Sequence, residues 1–170
     1  MYEANNTVRV NGVRLHYAAV GAGKPVVLVH GNGESHDLFD VEIGQLAAAG
    51  YHVFAPDSRG HGANERLDEY HYADMAEDMY RFIRELQLEK PLFYGHSDGG
   101  IIGLLLETIR IPVLVTVGEH DLILPEETQR LVQHLPKLTV VEGEDHGITE
   151  KSDTGIKKRA RCKIAQKRRG

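Results

Sequence analysis

The 170-residue sequence predicts an α/β fold, in which a mostly parallel, twisted sheet carries helices on both faces. Three observations predict it. A hairpin signal lies near the N-terminus, short apolar runs bounded by glycine and proline follow, and amphipathic stretches separate those runs. Strands that alternate with helices along a chain are typical of a parallel sheet covered by helices on both faces.

The first two strands are predicted at 8–10 and 13–20, on either side of Asn11-Gly12, which is the strongest two-residue signal for a β-hairpin. The run PVVLVH at 25–30 is continuously apolar and ends in a glycine-rich loop, as a strand buried on both faces does. Apolar residues at helical spacing predict an amphipathic helix at 73–88. The remaining predicted strands are 51–56, 91–95, 112–117 and 138–141, and the remaining predicted helices are 40–50, 98–107 and 126–135.

Composition excludes several classes of protein. Hydrophobic residues make up 41% and charged residues 26%, as in a soluble globular protein. Cys162 is the only cysteine, so the chain forms no intrachain disulfide and has no cysteine-based zinc cluster. No apolar run reaches the roughly 20 residues that span a bilayer. The first ten residues lack the pattern of a signal peptide. We therefore expect a cytoplasmic protein.

The charge is distributed unevenly along the chain. Residues 1–153 carry 12 basic residues and all 25 acidic ones, whereas residues 154–170 carry 8 basic residues and no acidic one. We expect a domain at 1–150, too acidic to bind nucleic acid, and a basic C-terminal tail at 151–170. We expect the tail to be solvated and either disordered or loosely helical. The alternative is that it contacts an acidic surface.

Chemistry is predicted at three points, in the order serine, acid, histidine. Ser97 lies in Gly95-His96-Ser97-Asp98-Gly99, a G-x-S-x-G motif between a predicted strand and a predicted helix, which is typical of an exposed nucleophile. His146 follows the last strand and is the candidate base, because a serine hydroxyl needs a base to attack. Asp121 follows the preceding strand and is the candidate that orients this base. Glu119 and Asp145 are the rival acids.

The negative charge that develops during attack on a carbonyl needs donors. We expect the backbone N–H groups of Asn32, in the glycine-rich loop after the third strand, and of Asp98 to form this oxyanion hole. The chemistry requires no cofactor and no metal.

The segments VLVHGNG, FAPDSRGHG, YGHSDGG, VGEHD and EDHG together resemble the α/β-hydrolase superfamily, in particular its esterase, lipase and haloperoxidase-like branch. The resemblance covers residues 8–147. It implies that Asp57, Arg59 and His61 shape the wall of the site. The sequence departs from the family after the nucleophile helix, where only residues 108–110 precede the next strand. We expect a minimal fold that lacks the cap and one core strand, with the strand at 112 moved next to the nucleophile strand.

The function predicted is that of a serine hydrolase that cleaves a carboxylic ester or similar small acyl substrate through an acyl-enzyme. A C–C-bond hydrolase or perhydrolase is the alternative within the enzymes. A non-catalytic shortened relic or binding protein is the alternative outside them, because the internal deletion moves Asp121 and His146 relative to Ser97.

Overall fold

The computed structural model describes residues 1–107 and, for backbone only, the two strands at 115–118 and 138–141. A five-stranded sheet holds this part of the chain together. In chain order its strands are β1 (Asn6–Val10), β2 (Val13–Gly21), β3 (Lys24–Val29), β4 (Tyr51–Pro56) and β5 (Leu92–Gly95). In space they are ordered β1-β2-β4-β3-β5.

The sheet is mixed. The β1–β2 and β2–β4 pairs are antiparallel, whereas β3 pairs in parallel with β4 on one side and with β5 on the other. Because β3, β4 and β5 run in the same direction, the loops that follow them meet at one edge of the sheet. This edge therefore gathers the glycine-rich loop, the 57–64 segment and Ser97.

The predicted hairpin is confirmed. Asn11 and Gly12 both have positive φ, at 43° and 80°, and the register pairs Val10 with Val13 across them. Two positive φ values are the signature of a type I′ turn, whose twist matches that of the flanking strands.

Three described helices flank the sheet. A 3₁₀ turn (His36–Phe39) leads into α1 (Asp40–Ala48), and α2 (Tyr72–Glu85) and α3 (Asp98–Glu107) follow. The predicted helix at 73–88 thus ends three residues early, and Gln87 beyond it has a φ of 52°, which a helix cannot contain. The predicted helix at 126–135 lies outside the described residues.

Alternation along β3 divides the core into two clusters. Val27 and Val29 pack in the cluster that includes residues of α2 and α3, whereas Val26 and Leu28 pack in the cluster that includes Phe39 and residues of α1. Successive strand residues point to opposite faces, so a strand covered on both faces is apolar throughout. The helices on both faces are thereby confirmed.

The expected move of the strand at 112 is not found. The sixth described strand, β6 (Val115–Gly118), pairs with β7 (Leu138–Val141) in a two-stranded sheet, and β5 is the last strand of the five-stranded one. Among the described strands, β5 pairs with β3 alone. The expectation that β6 fills the place beside β5 was therefore wrong. The stretch 151–170, expected to be a basic tail, lies outside the described residues.

Candidate active site

Ser97 sits on a sharp turn between β5 and α3. Its φ is 50°, in the left-handed region that costs a residue with a Cβ about 1 kcal/mol or more. The turn is held by backbone hydrogen bonds from Gly99 N–H to the His96 carbonyl at 2.8 Å and from Gly100 N–H to the Ser97 carbonyl at 2.8 Å. A strained serine between a strand and a helix is the geometry that the G-x-S-x-G motif predicts.

The two glycines of the motif are required by close backbone approach. A Cβ on Gly95 would overlap the Gly99 backbone, and a Cβ on Gly99 would overlap the carbonyl of Val29 in β3. The turn therefore packs directly on the end of β3, with His96 N–H donating to the Val29 carbonyl at 2.9 Å. These contacts explain why glycine stands on both sides of Ser97.

The glycine-rich loop after β3 lies against Ser97. A Cβ built on Gly31 would stand 3.0 Å from the Ser97 Cβ and 2.8 Å from a carboxylate oxygen of Glu34. That same oxygen accepts a 2.8 Å hydrogen bond from the Gly31 N–H, and the other Glu34 oxygen lies 3.9 Å from His96 Nε2. The loop is thus fixed one residue before Asn32, which brings Asn32 to the side of the serine.

The Asn32 side chain is held from two directions. Its Oδ1 accepts a 3.1 Å hydrogen bond from the Tyr70 hydroxyl and lies 3.2 Å from His61 Nε2. The His61 and Tyr70 rings meet edge to face at 5.0 Å, and His61 Nδ1 donates to the Arg59 carbonyl at 2.8 Å. Asn32 is therefore positioned by the loop after β4 and by the segment that precedes α2.

A cavity of about 230 Å³ opens beside these residues and is lined by Asn32, Tyr70, His71, Tyr72 and Asp98. Tyr70 and Tyr72 are large aromatic residues that stay exposed, at 37% and 40%. Burial and the neighbouring Asp98 carboxylate, through its charge and a hydrogen bond, raise the pKa of Tyr72. The lining of the cavity thus combines aromatic rings with a carboxylate.

His30 is a neutral, structural histidine. It is 1% exposed, its Nδ1 donates to the Gly31 carbonyl at 2.7 Å, and its Nε2 accepts from the Ser58 N–H at 2.9 Å. Burial lowers its pKa more than the Gly31 carbonyl and the nearby carboxylates raise it. An imidazole that accepts a backbone N–H has no free lone pair, so His30 is not a base for Ser97.

Asp57 forms a buried ion pair with a histidine. It is fully buried, and one of its oxygens accepts from the N–H and from Nδ1 of His36, each at 2.8 Å. The other His36 nitrogen faces the Tyr2 carbonyl at 2.9 Å. Burial lowers the His36 pKa, but the hydrogen bond and charge of Asp57, with Asp37 and the Tyr2 carbonyl, outweigh it and raise the pKa. His36 is therefore an imidazolium that joins Tyr2, in the N-terminal segment, to Asp57, in the loop after β4.

The Arg59 side chain is also held by ion pairs. Its Nε and Nη2 bind the two oxygens of Asp78 in α2 at 2.6 and 2.5 Å, and its Nη1 lies 3.8 Å from Asp74. The resemblance placed Asp57, Arg59 and His61 in the wall of the site. Two of the three use their side chains to hold the wall together, and His61 alone reaches Asn32.

Of the residues predicted to act, Ser97, Asn32 and Asp98 meet at one edge of the sheet. Asp121 and His146, with the rivals Glu119 and Asp145, lie outside the described residues. Sequence reasoning missed Tyr70 and Tyr72. The available signal was the run EYHY at 69–72, which places two tyrosines at the exposed start of an amphipathic helix.

Comparison with known proteins supports the family resemblance seen in the sequence. The family model for the α/β hydrolase fold matches residues 24–107, from the start of β3 to the end of α3. The chain belongs to the α/β-hydrolase superfamily.

Several relatives in this superfamily are named as epoxide hydrolases. Bifunctional epoxide hydrolase 2 of Sus scrofa is 38% identical over 94 residues, which cover 54% of this chain and 17% of the pig protein. The AB hydrolase superfamily protein YfhM of Bacillus subtilis is 34% identical over 108 residues, 61% of this chain and 38% of that protein. An epoxide hydrolase of Vigna radiata has a similar structure, with a TM-score of 0.61 and 30% identity over 65% of this chain and 37% of that one. The chain spans less than half the length of these relatives.

Two further findings concern the described residues alone. They contain no group of three or more histidine, cysteine, aspartate or glutamate side chains arranged to hold a metal ion. None of their helices is long and apolar enough to cross a membrane.

Proposed function

We propose that this α/β-hydrolase is a serine hydrolase that cleaves a carboxylic ester or similar acyl substrate, with Ser97 as the nucleophile. The observation that carries the proposal is the strained φ of 50° at Ser97. The glycines on either side, Gly95 and Gly99, are required because a Cβ at either position would overlap neighbouring backbone. Backbone strain in a residue with a side chain persists where the surroundings enforce it, and nucleophiles on sharp turns are such residues.

The reaction proceeds in two steps. The Ser97 Oγ attacks the carbonyl carbon while His146 takes its proton, and Asp121 stabilises the imidazolium that forms. The oxyanion is bound by the N–H groups of Asn32 and Asp98. Asp98 is the first residue of α3, and the first amides of a helix have no partner within it. The leaving group departs with the proton from His146, and water then releases the acyl group by the same route.

Serine at this position favours acyl substrates over epoxides, although several relatives are named for epoxide hydrolysis. Attack of a serine on an ester gives another ester, which retains a carbonyl that water can attack. Attack of a serine on an epoxide gives an ether, which has no carbonyl, so the covalent route would end after one turnover. The residue at the turn thus points to acyl transfer.

A fluorophosphonate probe tests the proposal, because it reacts with a serine nucleophile whose base and oxyanion donors are assembled. We expect labelling of the wild type and of Ser35→Ala, which removes a half-buried serine outside the cavity lining, and no labelling of Ser97→Ala or His146→Ala. Short p-nitrophenyl esters and styrene oxide then separate ester from epoxide hydrolysis. A folded protein that resists the probe would exclude the enzyme and leave the non-catalytic binding protein as the function.

A further inference from the structure

The cavity beside Ser97 contains a carboxylate and no described cationic partner for it. Asp98 and Asn32 form one part of the lining, and Tyr70, His71 and Tyr72 form the other. Among the residues that the structure describes, no lysine or arginine lines it. Arg59, on the neighbouring loop, already binds Asp78 and Asp74.

The cavity is adjacent to the proposed nucleophile on two sides. Asp98 directly follows Ser97 in the chain, and Asn32 follows Gly31, whose Cβ would stand 3.0 Å from the Ser97 Cβ. The cavity therefore lies next to the turn that carries Ser97.

The Asp98 carboxylate accepts a hydrogen bond from the Tyr72 phenol. After burial, the charge of Asp98 and this hydrogen bond are the causes that raise the pKa of Tyr72. Asp98 is only partly buried, so water solvates the remainder of its charge. Such a carboxylate opposes the oxyanion that would develop one residue away, because like charges repel more strongly where water is sparse.

A positive charge on the substrate removes this disadvantage. A carboxylate together with aromatic rings is the arrangement that attracts compact ammonium groups, through Coulomb attraction and through the negative faces of the rings. The volume of about 230 Å³ is several times that of one water, and it lies below the usual range for drug-sized ligands. The strongly acidic domain further favours the approach of cations.

We propose that the cavity lined by Tyr70, Tyr72 and Asp98 binds a compact ammonium group, and that the substrates of this hydrolase are esters carrying such a group near the reacting carbonyl. The second half of this inference rests on the proposed function, whereas the first half does not. The two are tested separately.

Binding is measured without turnover, by NMR titration of the full chain with choline and with 3,3-dimethyl-1-butanol. The alcohol has the same shape as choline and no charge. At pH 8 and at constant ionic strength, we expect choline to bind about tenfold more tightly than the alcohol. Equal affinities in the wild type would overturn the inference without the need for any variant.

Variants locate the effect. Asp98→Asn should make the affinities for choline and for the neutral alcohol nearly equal. Asp68→Asn, which removes the same charge from an exposed residue outside the lining, should leave the preference for choline intact. Tyr72→Leu should weaken choline binding several-fold, because it removes a ring. A choline preference that survives in a folded Asp98→Asn protein would show that Asp98 serves only as an acid at a helix N-terminus, and would overturn the inference.

Turnover is measured with acetylcholine and its neutral isostere 3,3-dimethylbutyl acetate. We expect kcat/KM to be about tenfold higher for the cation and to become equal for the two esters in Asp98→Asn. If neither ester is cleaved and choline still binds preferentially, the ester hydrolase fails and the cation site stands. If both esters are cleaved equally and choline shows no preference, the hydrolase stands and the cation site fails.

Discussion

The ion pair between Arg59 and Asp78 allows the effect of burial to be measured against a matched pair on the surface. Asp78 is fully buried and the Arg59 side chain is 11% exposed, with two hydrogen bonds of 2.5–2.6 Å between them. The Arg81–Glu77 pair in α2 has a contact of the same length, 2.6 Å, but its side chains are 52% and 39% exposed. The two pairs differ in their exposure to solvent, and the buried pair also has two hydrogen bonds where the exposed pair has one.

Arg59→Met should destabilise the protein by about 3–5 kcal/mol, because it keeps most of the packing of the side chain and leaves the buried Asp78 carboxylate without its cation. For a chain of this size the loss corresponds to a decrease in Tm of roughly 6–20 °C. Arg81→Met should cost less than about 1 kcal/mol, because water screens an exposed pair. Urea unfolding followed by circular dichroism measures both.

The pH dependence provides a second check on the same variant. Burial raises the pKa of Asp78, and Arg59 opposes that rise. Without Arg59 the folded-state pKa rises further above the unfolded value of about 3.9. A raised carboxyl pKa favours the folded state at low pH and costs stability as pH increases. The penalty of Arg59→Met should therefore be smallest near pH 4 and grow towards neutrality. A penalty equal to that of Arg81→Met at pH 7 would refute the reasoning.

Three further predictions concern the edge of the sheet. Ser97→Gly should abolish labelling yet stabilise the fold by about 1 kcal/mol, because glycine accepts a positive φ, whereas Ser97→Ala should leave the stability near that of the wild type; thermal unfolding distinguishes the two variants. Gly99→Ala should cost at least about 1–3 kcal/mol, because its Cβ would overlap the Val29 carbonyl, and a wild-type Tm would contradict this packing. His36→Asn should destabilise most below pH 6.5 and progressively less as pH rises through the raised pKa of His36, because the ion pair with Asp57 is lost as the wild-type imidazole becomes neutral; an unfolding free energy difference that is constant from pH 6 to 9 would contradict a charged His36.

Local patterns accounted for most of the fold. The Asn11-Gly12 turn, the apolar run of β3 and the glycines around Ser97 each specify a backbone conformation over a few residues, so their structures follow from sequence alone. Backbone requirements of this kind do not depend on a distant partner.

The polar partnerships of the site could not be predicted in this way. Tyr70 and Asn32 are 38 residues apart, and His36 and Asp57 are 21 apart. Each of these side chains has several acceptable partners in the sequence, and only the folded sheet edge selects among them. The position of β6 was missed for a related reason. Strand pairing is a long-range choice, and the apolar run at 112–117 satisfies more than one neighbour.

The alternation along β3 also limits how this part of the molecule can change in evolution. Val26 and Leu28 face one core, and Val27 and Val29 face the other, while the carbonyl of Val29 contacts the turn that carries Ser97. Insertion or deletion of one residue in β3 would exchange its two faces and shift the glycine-rich loop away from the serine in the same step. Length variation among relatives of this protein is therefore expected in the loops and beyond α3, while β3 itself diverges only by substitution.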